Sequence, residues 1–170
     1  KATLNNLLIP YTSNYAGTLL PGIREYTITP GEKTTTISGK GKAGLKQEEN
    51  YYFFYLPVCY KGITGKSYAY YNTSRSKNLY LPASVDENYS YDIQLPENLT
   101  LCTPIQEKKI DNPIGSFKIT LTSEGSSLHI ELALQIKKQL ITPAEYPAFR
   151  SLITEWTDRT RKPILFKTVQ

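Results

Sequence analysis

The feature that most constrains this chain is a run of period-two alternation between Phe117 and Leu134. Phe117, Ile119 and Leu121 alternate with Lys118, Thr120 and Thr122. Leu128, Ile130, Leu132 and Leu134 then alternate with outward-facing His129, Glu131 and Gln135. Between the two runs, Ser123-Glu124-Gly125-Ser126 supplies turn residues. Successive side chains on a strand point to opposite faces, so such a hairpin has one apolar face and one wet face. A helix does not fit, because its apolar positions recur every three to four residues. The pattern calls for an antiparallel sheet whose inner face is covered and whose outer face meets water.

Other segments extend the sheet. Gly22–Ile28 and Lys33–Ser38 flank Pro30-Gly31 and read as a hairpin. Asn50–Leu56 carries Tyr51, Phe53 and Tyr55 on one face and Tyr52, Phe54 and Leu56 on the other, so it reads as a central strand ended by Pro57. Leu4–Ile9, Ser67–Tyr71 and Leu79–Leu81 read as further short strands. Tyr89–Leu95 puts Tyr89, Tyr91, Ile93 and Leu95 on one face and ends at Pro96. One helix is expected near the end. Thr142 and Glu145 have capping-box spacing with Pro143 at the first helical position, and Pro147 argues for a start nearer Tyr146. Tyr146, Phe149, Ile153 and Trp156 form its apolar stripe, with Leu152 at the edge. Arg159, Arg161 and Lys162 follow at its C-terminal end, Pro163 stops it, and Ile164–Lys167 reads as a closing strand.

The fold class expected is therefore mainly β: an antiparallel β-sandwich, immunoglobulin-like in style, with one C-terminal helix packed on a sheet. A single domain over residues 1–170 fits the length, with a break in pattern at Leu95–Pro104 as the place for a seam. There are 14 Tyr against 5 Phe and 1 Trp, an aromatic load suited to half-wet strand surfaces. The formal charge of +5 comes from interspersed charges rather than a basic face, so no nucleic-acid partner is expected. No apolar run approaches the ~20 residues of a membrane-spanning helix. The chain begins at Lys1 and has no Met, so the sequence predicts a piece of a longer product whose N-terminus lies upstream.

Markers of chemistry are few. The sequence has no dinucleotide, phosphate-loop, nucleophile-elbow or zincin motif. Gly39–Gly44 is glycine-rich but reads as a loose hairpin segment. Cys59 or Cys102, then His129, then Asp158 occur in the order of a cysteine–histidine–aspartate triad. Neither cysteine opens a helix, and His129 projects from a wet face beside Glu131, so order alone carries little. Cys59 and Cys102 read as two small buried residues, with a disulfide between them as the alternative. With one His and two Cys, no structural zinc site is expected. Glu48-Glu49 and Asp86-Glu87 read as solvated loop carboxylates. Tyr51, Tyr55, Tyr68 and Tyr70 form the candidate ligand surface, for glycan or peptide, against the simpler reading that their rings pack a sheet. No catalytic residue, cofactor or metal ligand is expected.

From Asn78 onward the chain resembles a known family. Asn78-Leu79-Tyr80-Leu81-Pro82, the strand from Tyr89 to Pro96, Ile110-Asp111-Asn112 before Gly115-Ser116-Phe117, Ile141-Thr142-Pro143-Ala144-Glu145-Tyr146 with Phe149-Arg150, and Ile164-Leu165-Phe166-Lys167 occur in its order. They resemble the C-terminal β domain of unknown function of bacterial, Bacteroidetes-type transglutaminase-like proteins. Residues 78–170 correspond to the module, and residues 1–77 read as linking strands. The resemblance implies an upstream transglutaminase-like (cysteine-protease-fold) core in the same polypeptide, which would hold the catalytic Cys, His and Asp. It also implies a periplasmic or cell-surface location. The expected function is that of a non-catalytic accessory domain, supporting the core or mediating protein contacts. The alternative is a glycan- or peptide-binding module that uses exposed Tyr residues.

Overall fold

A computed structural model of the chain describes residues 23–30, 35–41, 45–55, 74–158 and 163–169. In chain order the elements are β1 (Ile23–Pro30), β2 (Thr35–Gly41), β3 (Lys46–Glu48), β4 (Tyr51–Tyr55), β5 (Leu79–Tyr80), β6 (Val85–Gln94), β7 (Leu99–Leu101), β8 (Gln106–Asn112), β9 (Gly115–Glu124), β10 (Ser127–Ile136), β11 (Leu140–Ile141), α1 (Tyr146–Thr157) and β12 (Pro163–Thr168). The expected strands at Leu4–Ile9 and Ser67–Tyr71 lie outside the described residues, as do Arg159, Arg161 and Lys162.

The alternating run forms the β9–β10 hairpin, with Ser127 opposite Glu124 and Ile136 opposite Gly115. Its two-residue loop is Gly125-Ser126, and Gly125 takes φ +57° at the position where such loops need positive φ. β6 pairs along the whole outer side of β10, and β8 along β9, giving a four-stranded antiparallel sheet in the order β6-β10-β9-β8. A second antiparallel sheet has the order β3-β4-β12-β7, with β4 interior to it as its two apolar faces predict. β1 and β2 form the expected hairpin, and β5 pairs with β11 in a two-rung ribbon.

The inner face of the first sheet has two covers. At the β10 C-terminal end, Phe117, Ile119, Leu132, Leu134 and Ile136 pack with Tyr146, Phe149, Leu152, Ile153 and Trp156 of α1. At the hairpin end, Leu121, Leu128 and Ile130 pack with Phe54, Leu99, Ile164 and Phe166 of the second sheet. This is the predicted sandwich with a helix on one sheet. Trp156 meets Phe117 edge-on at 6.5 Å and Tyr89 at 5.9 Å, which ties the helix to the middle and to one edge of the sheet. The Leu95–Pro104 segment is where the chain leaves the first sheet, contributes β7 to the second, and returns as β8.

The helix start reconciles two signals that conflict in the sequence. Thr142 and Glu145 make the capping-box exchange: the Thr142 N–H donates to Glu145 Oε2 at 3.1 Å, and the Glu145 N–H to Thr142 Oγ1 at 3.4 Å. Regular helix nevertheless begins only at Tyr146, since Pro147 has no N–H to donate back into that first turn.

β8 (QEKKIDN) was not legible as a strand, because its inward residues include Lys108 and Asn112. Both are answered by α1. Lys108 pairs with Glu155, and Asn112 Nδ2 donates to the Ala148 carbonyl at 3.1 Å. Asn112 Oδ1 also accepts the Ile114 N–H at 2.9 Å, so one amide shapes the β8–β9 turn and clamps the helix. Gly115, directly after that turn, has no room for a side chain: a Cβ there would lie 1.8 Å from the Gln135 carbonyl oxygen.

The two hairpin glycines therefore predict different costs. Gly115→Ala should destabilise by about 3 kcal/mol or more, through a clash with backbone. Gly125→Ala meets nothing within 4 Å and should cost only the positive-φ term, about 1 kcal/mol. Urea unfolding of the two variants measures the difference, and equal effects would contradict it.

Candidate functional site

One connected line of charged side chains lies on the outer face of the first sheet. Cross-strand pairing places His129 on β10 opposite Asp92 on β6 and Thr122 on β9, and Glu131 opposite Thr120. His129 Nδ1 lies 2.7 Å from Asp92 Oδ1, and Nε2 lies 3.5 Å from Glu131 Oε1. Lys118 Nζ donates to Glu131 Oε2 at 2.7 Å. The result is a line of alternating charge, Asp92–His129–Glu131–Lys118, across three strands.

Hydrogen bonding to Asp92, and then to Glu131, holds the imidazolium and raises the His129 pKa above its ordinary 6.5. The Lys118 hydrogen bond, followed by that of His129, lowers Glu131, and Lys118 is raised in turn by Glu131. All these groups face solvent, and Asp92 is 87% exposed, so the pairs are well screened. Beside them, Asp92, Gln94, Thr122, Glu124, Ser127 and His129 line a shallow depression of about 300 Å³.

A cysteine–histidine pair is not assembled from Cys102. Cys102 follows β7, with its N–H donating to the Leu165 carbonyl at 2.7 Å, in the sheet that covers the inner face. Asp158 ends α1, on that same inner side. His129 projects from the opposite, outer face, so the first sheet separates it from both. Cys102 is half-buried and bonded to no other cysteine among the described residues; Cys59 lies outside them.

The candidate tyrosines divide similarly. Tyr51 is 43% exposed at the start of β4, Tyr55 ends that strand opposite Pro163, and Tyr68 and Tyr70 lie outside the described residues. Tyr52, Tyr89 and Tyr91 instead pack against the cores. Asp86 and Glu87 occupy opposite faces of β6: Asp86 accepts from Asn88 at 2.7 Å, and Glu87 from the Tyr89 hydroxyl at 3.0 Å. They do not form a carboxylate pair. Among the described residues no three His, Cys, Asp or Glu side chains are grouped to hold a metal ion. The partner of His129 was missed in the sequence because Asp92 is 37 residues away; only the β6–β10 register brings them together.

The architecture is that of a β-sandwich module with a helix laid beside the second sheet. The chain belongs to the family described as a domain of unknown function with a solved structure, DUF3858, whose model matches residues 50–166. The match begins well upstream of Asn78, where the resemblance first becomes legible, and takes in β4 of the second sheet. A crystal structure of a candidate protease from Parabacteroides distasonis is similar, with TM-score 0.61 and 31% identity over 72% of this chain. The chain spans 24% of the length of that protein. No curated protein matches the chain.

The charge line yields a titration prediction. His129 should titrate above 6.5 by NMR, and Asp92→Asn should move it back down. Because the folded pKa is raised, the stabilisation is full below 6.5 and disappears as pH rises through the folded value. Glu145 has the opposite sign. Lys138, then the Thr142 N–H and hydroxyl, hold it at about 2, so its contribution is present above 4.5 and fades as pH falls from 4.5 toward 2. A His129 titration unmoved by Asp92→Asn would contradict the assigned cause.

Proposed function

We propose that this chain is a non-catalytic accessory domain of a larger protein, which it serves by supporting a transglutaminase-like, cysteine-protease-fold core or mediating its contacts. The observation that carries this reading is one of proportion. A 31%-identical counterpart makes up 24% of a longer protein described as a candidate protease. There the same module is one part of a polypeptide with ample length for a separate core. The geometry supports the same reading: the one imidazole is solvent-facing, and the sheet stands between it and Cys102. Export to the periplasm or cell surface is the location we propose, on the strength of the family resemblance.

The direct test is to assay the isolated chain for peptide hydrolysis and for acyl transfer from glutamine to an amine. We expect neither. Turnover that disappears in both Cys102→Ala and His129→Ala would overturn the accessory reading.

A further inference from the structure

The β5–β11 ribbon carries a feature that its packing does not use. It has two rungs. Leu79 and Ile141, 8% and 0% exposed, face inward and belong to the α1 core. Tyr80 and Leu140 face the other way, 69% and 52% exposed, directly opposite one another. Directly opposed side chains on an antiparallel pair stand about 5 Å apart at Cβ, so these two form one apolar surface. Among the described residues they are the first and the fourth most exposed of the large hydrophobic side chains.

The rung's backbone is also held in place. The Leu81 N–H donates to the Gln139 carbonyl at 2.8 Å, and the Lys137 N–H to the Ile114 carbonyl at 2.9 Å, next to the Asn112 turn. Ile141 leads at once into the Thr142–Glu145 capping exchange. An apolar pair on a backbone fixed this way needs no loop ordering on binding.

The segments that lead into the ribbon are basic. Lys77 precedes β5 and Lys137 lies three residues before β11, both exposed, while Lys138 is engaged by Glu145. Because the strands run antiparallel, these lysines lie at opposite ends of the rung. Segments 76–84 and 137–144 contain no carboxylate, and the nearest in sequence, Glu145, is taken by Lys138.

From this we infer that the Tyr80–Leu140 rung is a docking point for an acidic segment of a partner polypeptide, seating an apolar side chain between flanking carboxylates. Apolar contact gives the affinity, with Tyr among the residue types enriched at such points, and the lysines steer and orient. This deepens the accessory reading, on which it rests, by naming the surface and the chemistry of the contact.

The test uses the full chain, isotopically labelled, titrated with a short synthetic peptide of leucines flanked by glutamates. Saturable shifts should appear at Lys77–Leu81 and Lys137–Ile141 and weaken with added salt. The Tyr80→Ser/Leu140→Ser variant should bind about tenfold more weakly or worse while melting like the parent, since both side chains are exposed. Should that variant fold poorly, Lys77→Glu/Lys137→Glu provides a second arm, which should lose the acidic peptide and gain its lysine-flanked counterpart. Shifts elsewhere, binding indifferent to both variants, or no binding would overturn the proposal. The activity assay of the isolated chain stands apart, so turnover there defeats the accessory reading whatever the peptide does.

Discussion

Burial of the inner face of the β9–β10 hairpin is the interaction on which the remaining structure depends. Seven side chains of that face, Phe117, Ile119, Leu121, Leu128, Ile130, Leu134 and Ile136, are at most 3% exposed. Each contributes about 1.5–3 kcal/mol by leaving water, provided something covers it. No single element does so. The helix takes one end and the second sheet the other, so the hairpin serves as a common floor. Neither cover has a comparable alternative partner among the described elements. The chain's path reflects this: β7 and β12 reach the second sheet by excursions from β6 and α1, which lie on or against the first.

The polar groups follow from their place on that floor. Inward polar residues occur at the sheet's two edges: on β6, Glu87 accepts from the Tyr89 hydroxyl, and on β8, Lys108 and Asn112 reach Glu155 and the Ala148 carbonyl beside the helix. Lys108 and Asn112 are half-buried, and the two clamps help fix where α1 sits. On the outer face the constraint disappears, and charged side chains pair across strands in water. That explains why the molecule's one imidazole has two carboxylate neighbours and yet no enclosed site.

Much of the fold was legible in the sequence because its decisive strands alternate strictly. Phe117 to Leu134 gave the hairpin and its faces, and the stripe from Tyr146 to Trp156 gave the helix and its buried side. β8 was illegible for a physical reason: of its inward positions only Ile110 is apolar, and Lys108 and Asn112 make sense only opposite a helix some forty residues later. β11 is two residues long, too short for any period. The site was less legible than the fold. His129 and Glu131 share a strand and could be placed together, whereas Asp92 needed the β6–β10 register. The sequence order Cys, His, Asp proved uninformative for Cys102 because the sheet, invisible in a linear string, lies between it and His129.

If one face of one hairpin supports both covers, α1 and the second sheet should not open independently. Native-state hydrogen exchange tests this directly. The slowest amides of β10, α1 and β12 should share a single opening free energy and fall together when Ile130→Ala removes about 2–5 kcal/mol from the hairpin end alone. A second sheet that exchanges through its own lower-energy opening, with α1 and β10 still protected and untouched by Ile130→Ala, would contradict the common floor.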